Sequence, residues 1–147
     1  MRKFLIPPVF MGMGFALVLF CFFFLSDYNL IAFPFNLSGL VFCYSGLVIM
    51  GKARDLFRQN KTTLALDIPT TFIRVGLFAK TRNPMYIGMF LMLLGIAVCF
   101  CNLIALTAPL LFLLMVGVFV IPYEERIMLQ TFGQEYQNYR QRVKRWI

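Results

Sequence analysis

The chain has 147 residues, room for one domain, and 61% of them are hydrophobic, with 18 Phe. A soluble domain of this size needs a largely polar surface, so the composition excludes that class and points to an all-α integral membrane protein. The net charge of +8 would suit nucleic acid or an anionic inner leaflet, and the second fits better because the Lys and Arg flank apolar blocks.

The first uncharged block follows Met1-Arg2-Lys3 and predicts a span over about 4–25, long enough to cross ~30 Å of hydrocarbon at 1.5 Å per residue. Pro7 and Pro8 fall in its first turns. A basic start before an apolar run also describes a signal peptide, but the run is too long and Leu25-Ser26-Asp27 is a poor cleavage site. A retained helix is expected. The second block runs from Tyr28 to Gly51, where Pro34 breaks it. The helix is expected over about 36–51, capped by Ser38 or Asn36.

Lys52–Arg82 is a 31-residue segment of mixed character. Its start, Lys52 to Arg58, continues the second helix into the cytoplasm. Thr62–Ile68 alternates with period two and predicts an extended piece that Pro69 ends. A loop this long is uncommon without a task. Its apolar residues, among them Leu64, Leu66, Phe72, Ile73 and Phe78, must fold back on apolar surface.

Asn83–Tyr123 carries no charge and is about twice one span. Cys101-Asn102 to Thr107-Ala108-Pro109 supplies cap residues and a proline fit for a first helical turn. Helices over about 85–101 and 107–123 are therefore expected in a tight hairpin. The tail 124–147 predicts an amphipathic helix. Leu129, Phe132, Tyr136, Tyr139, Val143 and Trp146 are spaced 3, 4, 3, 4, 3 and form one stripe, read as an interfacial helix with Trp at headgroup level. Gly133 in its middle signals a break or a close contact.

All 14 Lys and Arg fall at Arg2-Lys3, in 52–82 and in 126–145; the connections near 26–36 and 101–107 have none. Positive charge stays cytoplasmic. Four crossings result, with both termini and the 52–82 segment in the cytoplasm. Cys21, Cys43, Cys99 and Cys101 lie in apolar spans without a C-x-x-C pair and read as packing residues. The chain has no His, which removes His-based triads, haem His ligation and most zinc sites, and no metal is expected.

Polar groups at membrane depth are functional candidates because lipid penalises them. Arg82-Asn83-Pro84-x-Tyr86-x-Gly88 opens the third span and Glu124-Glu125 closes the fourth, so the hairpin sets them side by side. Pro84 in a first turn leaves backbone donors available. Gly88 admits a ligand or a neighbouring helix. The Tyr86 ring can face a cation, and Glu124 can accept from ribose hydroxyls. Each has a plain structural explanation too: Glu124 pairing with Arg126 or Arg82, Arg82 as a stop charge, Tyr86 as a belt aromatic.

Arg82-Asn83-Pro84-Met85-Tyr86-Ile87-Gly88 resembles the R-[HN]-P-x-Y-x-G signature of the isoprenylcysteine carboxyl methyltransferase and phospholipid methyltransferase group. The tail from Glu124-Glu125 through Phe132-Gly133-x-Glu135-Tyr136-x-x-Tyr139 to Arg142-Val143-x-Arg145 resembles that group's closing motif, and Pro69-x-x-Phe72-Ile73-x-x-Gly76-Leu77-Phe78 its lead-in. The resemblance implies a membrane methyltransferase that uses S-adenosylmethionine, with S-adenosylhomocysteine as product. It implies a cytosolic cofactor pocket, a lipophilic or lipidated acceptor entering from the bilayer, and a place in a bacterial inner membrane.

Carried over by position, cofactor contacts fall on Thr70, Thr71, Phe72, Ile73, Phe78, Asn83, Pro84, Met85, Tyr86 and Glu124. Arg82 and Glu125 are the weak catalytic candidates, Glu125 as proton acceptor for an amine. Asn83 stands where the isoprenylcysteine enzymes have His, and Phe78 replaces a Tyr. Val120 stands where those enzymes carry an Arg for the substrate, which argues against a prenylcysteine carboxylate. Two other classes remain: an NADPH-dependent membrane reductase of sterol-reductase type, which shares a similar signature but is usually larger, and a non-enzymatic membrane ligand-binding protein.

Overall fold

The computed structural model of the chain describes residues 7–31, 33–60 and 71–146. The expected extended piece at 62–68 and the candidate Thr70 lie outside these residues. Helix α1 runs Pro7–Phe24, opening on the two prolines as first-turn residues. Helix α2 runs Ser38–Gln59. It continues past Gly51 through Lys52–Arg58, as expected: nothing in Lys52–Gln59 breaks a helix, and the helix is closed at Asn60, whose side chain and backbone N–H both bond to Leu56 O. Ser38 does not cap forward; its Oγ donates back to Phe35 O at 2.6 Å. Helix α3, Pro84–Cys99, has 16 residues. At 1.5 Å each it is about 24 Å long, short of the ~30 Å of hydrocarbon.

After a short turn at Ile104–Leu106, helix α4 (Thr107–Met115) passes through a π-helical turn at Val116–Val120 into helix α5 (Ile121–Arg142). The stretch Ile104–Arg142 is one rod of 39 residues, about 58 Å if straight. Its first half is apolar enough to span the bilayer, and the rest projects beyond it. No break separates a fourth span at 107–123 from a tail helix at 124. Gly133 (φ 50, ψ −123) kinks α5, the helix ends at Arg142, and Val143 is extended. The expected single stripe from Leu129 to Trp146 therefore does not form. Gly133 resets its register, and the last residues turn back toward α3.

Helices α2 and α3 pack antiparallel on two glycine pairs, Gly39 against Gly95 and Gly46 against Gly88. A Cβ at Gly46 would stand 2.6 Å from Gly88 O, and one at Gly95 2.5 Å from Gly39 O, so the backbones touch. Of the two roles open to Gly88, the approach of a neighbouring helix is the one observed. Helix α3 is enclosed by α1, α2 and α4, with Leu93 fully buried at its centre. Tyr86, Met89, Phe112, Val116 and Val120 form one core around it, and Val18, Cys21, Ala97, Ala105 and Ala108 another toward the hairpin turn. The outer faces present Phe23, Phe24, Phe33, Phe35 and Tyr44, each at least 70% exposed, as surface that suits lipid. The molecule is an all-α, multi-pass membrane protein.

The 71–82 segment does fold back on apolar surface. Ile73 and Phe78 are buried with Ala53 of α2, and the Phe57 and Phe78 rings meet edge to face with centroids 5.4 Å apart.

Candidate functional site

Three chain segments converge where α3 begins. Pro84 fixes the first turn of α3 and Asn83 precedes it in a non-helical conformation (φ −130, ψ 53). Helix α5 passes alongside just after the fourth span, bringing Glu124 and Glu125. The chain end comes back as a strap. Arg82 N–H donates to Lys144 O (3.0 Å), Thr81 Oγ1 to Arg145 O (3.2 Å) and Asn83 Nδ2 to Arg145 O (2.9 Å). These three bonds hold Val143–Trp146 out of helix.

The two glutamates divide the work. Tyr86 donates its hydroxyl to Glu124 Oε1 at 2.6 Å, joining the start of α3 to α5. Neither Arg126 nor Arg82 pairs with Glu124 in the structure. Burial pushes the Glu124 carboxyl up to about 7; the Tyr86 hydrogen bond pulls it down and the neighbouring Glu125 charge adds to the rise. Glu125 is 7% exposed and sits between two guanidinium groups. Arg145 donates to it twice, Nε to Oε1 at 3.1 Å and Nη2 to Oε2 at 2.8 Å, and Arg82 Nη1 lies 2.9 Å from Oε1. The bond to Glu125 raises the Arg145 pKa further. A carboxylate held this way ties α5, the strap and the entry to α3 together. Both Glu125 oxygens face guanidinium groups, so in this structure the side chain acts as the anchor of the clamp.

Arg82 is the unfinished member. Its side chain is 10% exposed; among the described residues neither Nε nor Nη1 has an aligned hydrogen-bond acceptor, and the 2.9 Å approach of Nη1 to Glu125 Oε1 is an ion pair without hydrogen-bond geometry. Arg82 also neighbours the Tyr136 hydroxyl, whose pKa burial and then Glu125 push up while Arg82 opposes them.

The 71–78 stretch reaches the same region from the side away from the Asn102 turn. Phe72 packs on Phe132, Tyr136 and Tyr139 with ring centroids 5.0–5.6 Å apart. Tyr139 donates to Phe78 O at 2.6 Å, and burial, then Tyr136, pushes its hydroxyl up to about 12. Met85 touches both the Ile73–Phe78 cluster and the Tyr86 core. The sequence-derived residues Phe72, Ile73, Phe78, Asn83, Pro84, Met85, Tyr86 and Glu124 thus border one continuous region, with Arg82 and Glu125 between them; Thr71 is exposed at its edge. Sequence reasoning missed Thr81, the strap and the part Arg145 plays in it. Arg145 is one of several basic tail residues, and nothing in its local pattern separates it from Arg142.

The donor set suits a ligand that carries both signs of charge. Glu124 and the Tyr86 ring can face a cation or hydroxyls, and Arg82 Nε can meet an anion. S-adenosylmethionine, with a sulfonium, a ribose and a carboxylate, has that chemistry, so the residues fit the group.

Comparison with known proteins agrees with this architecture. Residues 35–135 match the phospholipid methyltransferase family. An uncharacterised protein of Haemophilus influenzae is 35% identical over 63 residues, 43% of this chain and 100% of that one. Proteins of Oryza sativa subsp. indica and subsp. japonica, each named "probable protein-S-isoprenylcysteine O-methyltransferase", are 37% identical over 68 residues, 46% of this chain. The match spans 36% of the length of the rice proteins. The matched family region takes in α2, α3, α4 and α5 as far as Glu135, and with it the site except the strap and the end of α5 that carries Tyr136 and Tyr139; the chain belongs to the phospholipid methyltransferase family.

Proposed function

We propose that the chain is an S-adenosylmethionine-dependent methyltransferase that acts on a lipophilic acceptor, a carboxylate or an amine, reaching it from the bilayer. The observation that carries this reading is the Tyr86–Glu124 pair, 2.6 Å apart, at the entry of α3 beside the buried Arg82 Nε. When bound, S-adenosylmethionine supplies a methyl group already activated on a positively charged sulfur. The protein's part is then positional. Glu124 holds ribose hydroxyls or favours the positive charge nearby, Tyr86 orients Glu124, and Arg82 receives the carboxylate end. Phe72, Ile73, Phe78 and Met85 keep water out. In the transfer, the acceptor's oxygen or nitrogen takes the methyl, the C–S bond breaks and the sulfur keeps its electron pair. A carboxylate would need no proton acceptor; a neutral amine would become an ammonium on taking the methyl and would then lose its proton to water.

The site is proposed to face the cytoplasm, in a bacterial inner membrane. Arg54, Arg58, Lys80, Arg126 and Arg140 lie at this end, whereas the connection around Asn102 carries no Lys or Arg. Calorimetric titration of the purified protein with S-adenosylmethionine, S-adenosylhomocysteine and NADPH tests the reading. Binding of the first two without the third is expected. Binding of NADPH alone would favour a reductase, and binding of none a non-enzymatic role.

A further inference from the structure

An apolar cleft of about 660 Å³ opens on the side of α3 facing α4, lined by residues of α2, α3, α4 and the π turn and closed at one end by Trp146. We infer that this cleft receives the hydrocarbon chain of the acceptor and that Trp146, carried by the strap, is the residue that selects which chain fits. The inference rests on the proposal that the acceptor is lipophilic.

Several observations place a chain there. Leu114 and Val118, at the mouth, are 59% and 54% exposed on the surface turned to lipid, so a chain can enter sideways from the bilayer. The walls, Ile87, Phe90, Leu91 and Leu113, are apolar, and the volume is in the ordinary range for ligand clefts. The end at Ile87 and Trp146 borders the candidate site, since these two residues directly follow Tyr86 and Arg145 in the chain. Phe90 and Trp146 pack on the core that contains Tyr86, and Trp146 follows Arg145, the residue clamped to Glu125. A chain lying in the cleft would bring its polar head to the Tyr86–Glu124 pair. Gly117, in the π turn, is the floor under Trp146: a Cβ there would meet the indole ring at 3.8 Å. Any larger side chain would therefore enter the cleft. The π turn and the strap together set the cleft's end, and neither is needed merely to cross a membrane.

Trp146 is the only Trp in the chain, which makes its fluorescence a direct probe. The test uses the full protein in nanodiscs, titrated with phosphatidylcholine carrying bromines midway along one acyl chain. A chain in the cleft should quench Trp146 in a saturable way, reversed by the unbrominated lipid. Gly117→Leu should raise the half-saturating concentration roughly fivefold or more. Leu91→Phe, on the α3 wall one helical turn beyond Ile87, should do the same without shifting the Trp146 emission maximum, which controls for displacement of the indole. With a methyl acceptor, Trp146→Ala should raise KM for the acceptor roughly fivefold and leave KM for S-adenosylmethionine within about twofold. Quenching that grows in proportion to brominated lipid and ignores both cleft variants would mean annular lipid only and would overturn the inference. Saturable, variant-sensitive quenching without S-adenosylmethionine binding would uphold the cleft and sink the methyltransferase reading.

Discussion

The two ends of α3 each bury a polar knot, and the knots differ in how completely they are satisfied. At the hairpin end Asn102 is fully buried. Its Nδ2 donates to Cys21 O (3.1 Å), Leu25 O (2.8 Å) and Asn29 Oδ1 (2.9 Å), and its Oδ1 accepts from Ala105 N–H (3.0 Å). It closes the C-terminal carbonyls of α1 and caps the turn before α4, and the Asn29 and Asn102 backbones pair beside it. At the other end the knot is ionic, and Arg82 Nε is left without an acceptor. Both knots exist for one reason. Helix α3 is too short for the hydrocarbon, so its ends lie where water is scarce and polar groups must be paired internally. The neutral knot is finished and serves structure. The charged knot leaves donor capacity on Arg82 unused among the described residues, and that is the physical difference between the two ends.

If the clamp around Glu125 is as central as its burial implies, Glu125→Ala carries the largest cost of any substitution here. It leaves Arg82 charged, buried and unpaired. A loss of about 3 kcal/mol is expected, the low end of the range for breaking a buried pair, because Arg145 is 37% exposed and can turn to solvent. Thermal unfolding in detergent should show the loss, with a smaller one for Glu125→Gln. A parent-like melting temperature for Glu125→Ala would mean that the two ends of α3 are not held by comparable networks.

At the finished end, Asn102→Leu should cost about 2 kcal/mol, since it strands the Ala105 N–H and the α1 carbonyls in a dry place. The comparison is sharpened by what does not change: S-adenosylmethionine affinity should stay within about twofold once the variant is folded. A large fall in affinity would couple the two ends and remove the division between them.

How much of this was legible beforehand follows from which physics each feature uses. The helices could be read because apolar length and Pro34, Pro84 and Pro109 are local signals, and Asn102 was readable as a cap residue by type. The glycine seam was present as Gly39-x6-Gly46 and Gly88-x6-Gly95. A seven-residue spacing shows where a close approach can occur and does not name the partner. The pairing of the glutamates was not legible. Glu124 and Glu125 point about 100° apart on a helix, and an extra residue in a turn rotates all that follows by a similar angle. The π turn at Val116–Val120, invisible in a run of apolar residues, thus bears on which glutamate meets Tyr86 and which meets Arg82. The continuation of α2 past Gly51 was legible, because nothing in Lys52–Arg58 breaks a helix and a helix has no need to end where the lipid does. The strap escaped because its bonds are made by backbone carbonyls, which no side-chain pattern encodes.

On the unfinished side, Glu124→Gln should weaken S-adenosylmethionine binding by about 1.5 kcal/mol, roughly tenfold, while leaving the fold intact. The pH dependence has a definite sign. The Glu124 pKa is raised from 4.5 to about 7, so the fold favours the protonated form. This contribution to stability is full below pH 4.5 and is lost as pH rises through 7. The ligand-free melting temperature should therefore fall between pH 5 and about 8, and Glu124→Gln should flatten that slope. Affinity for the cationic ligand should move the other way, rising toward pH 8 as the carboxylate forms. A pH-independent affinity in the parent protein would remove Glu124 from the cofactor's charge.

The smallest expected effects separate two residues of the same signature. Tyr86→Phe removes the donor from Glu124 Oε1, and Asn83→Ala removes one of the three bonds that hold the strap at Lys144–Arg145. Topology should be unchanged in both, because hydrophobicity and charge bias are untouched. Tyr86→Phe acts on a side chain proposed to meet the ligand, so about 1 kcal/mol, roughly fivefold in S-adenosylmethionine affinity, should be lost. Asn83→Ala acts through Arg145 O, which keeps its bond from Thr81 Oγ1, so the loss in affinity should be about twofold. Its clearer mark should be on Trp146, one residue along: a looser strap should shift and broaden the tryptophan emission, while Tyr86→Phe should leave it in place. If the ranking is reversed, Asn83 meets the ligand itself, and the strap must then leave Asn83 when the ligand binds.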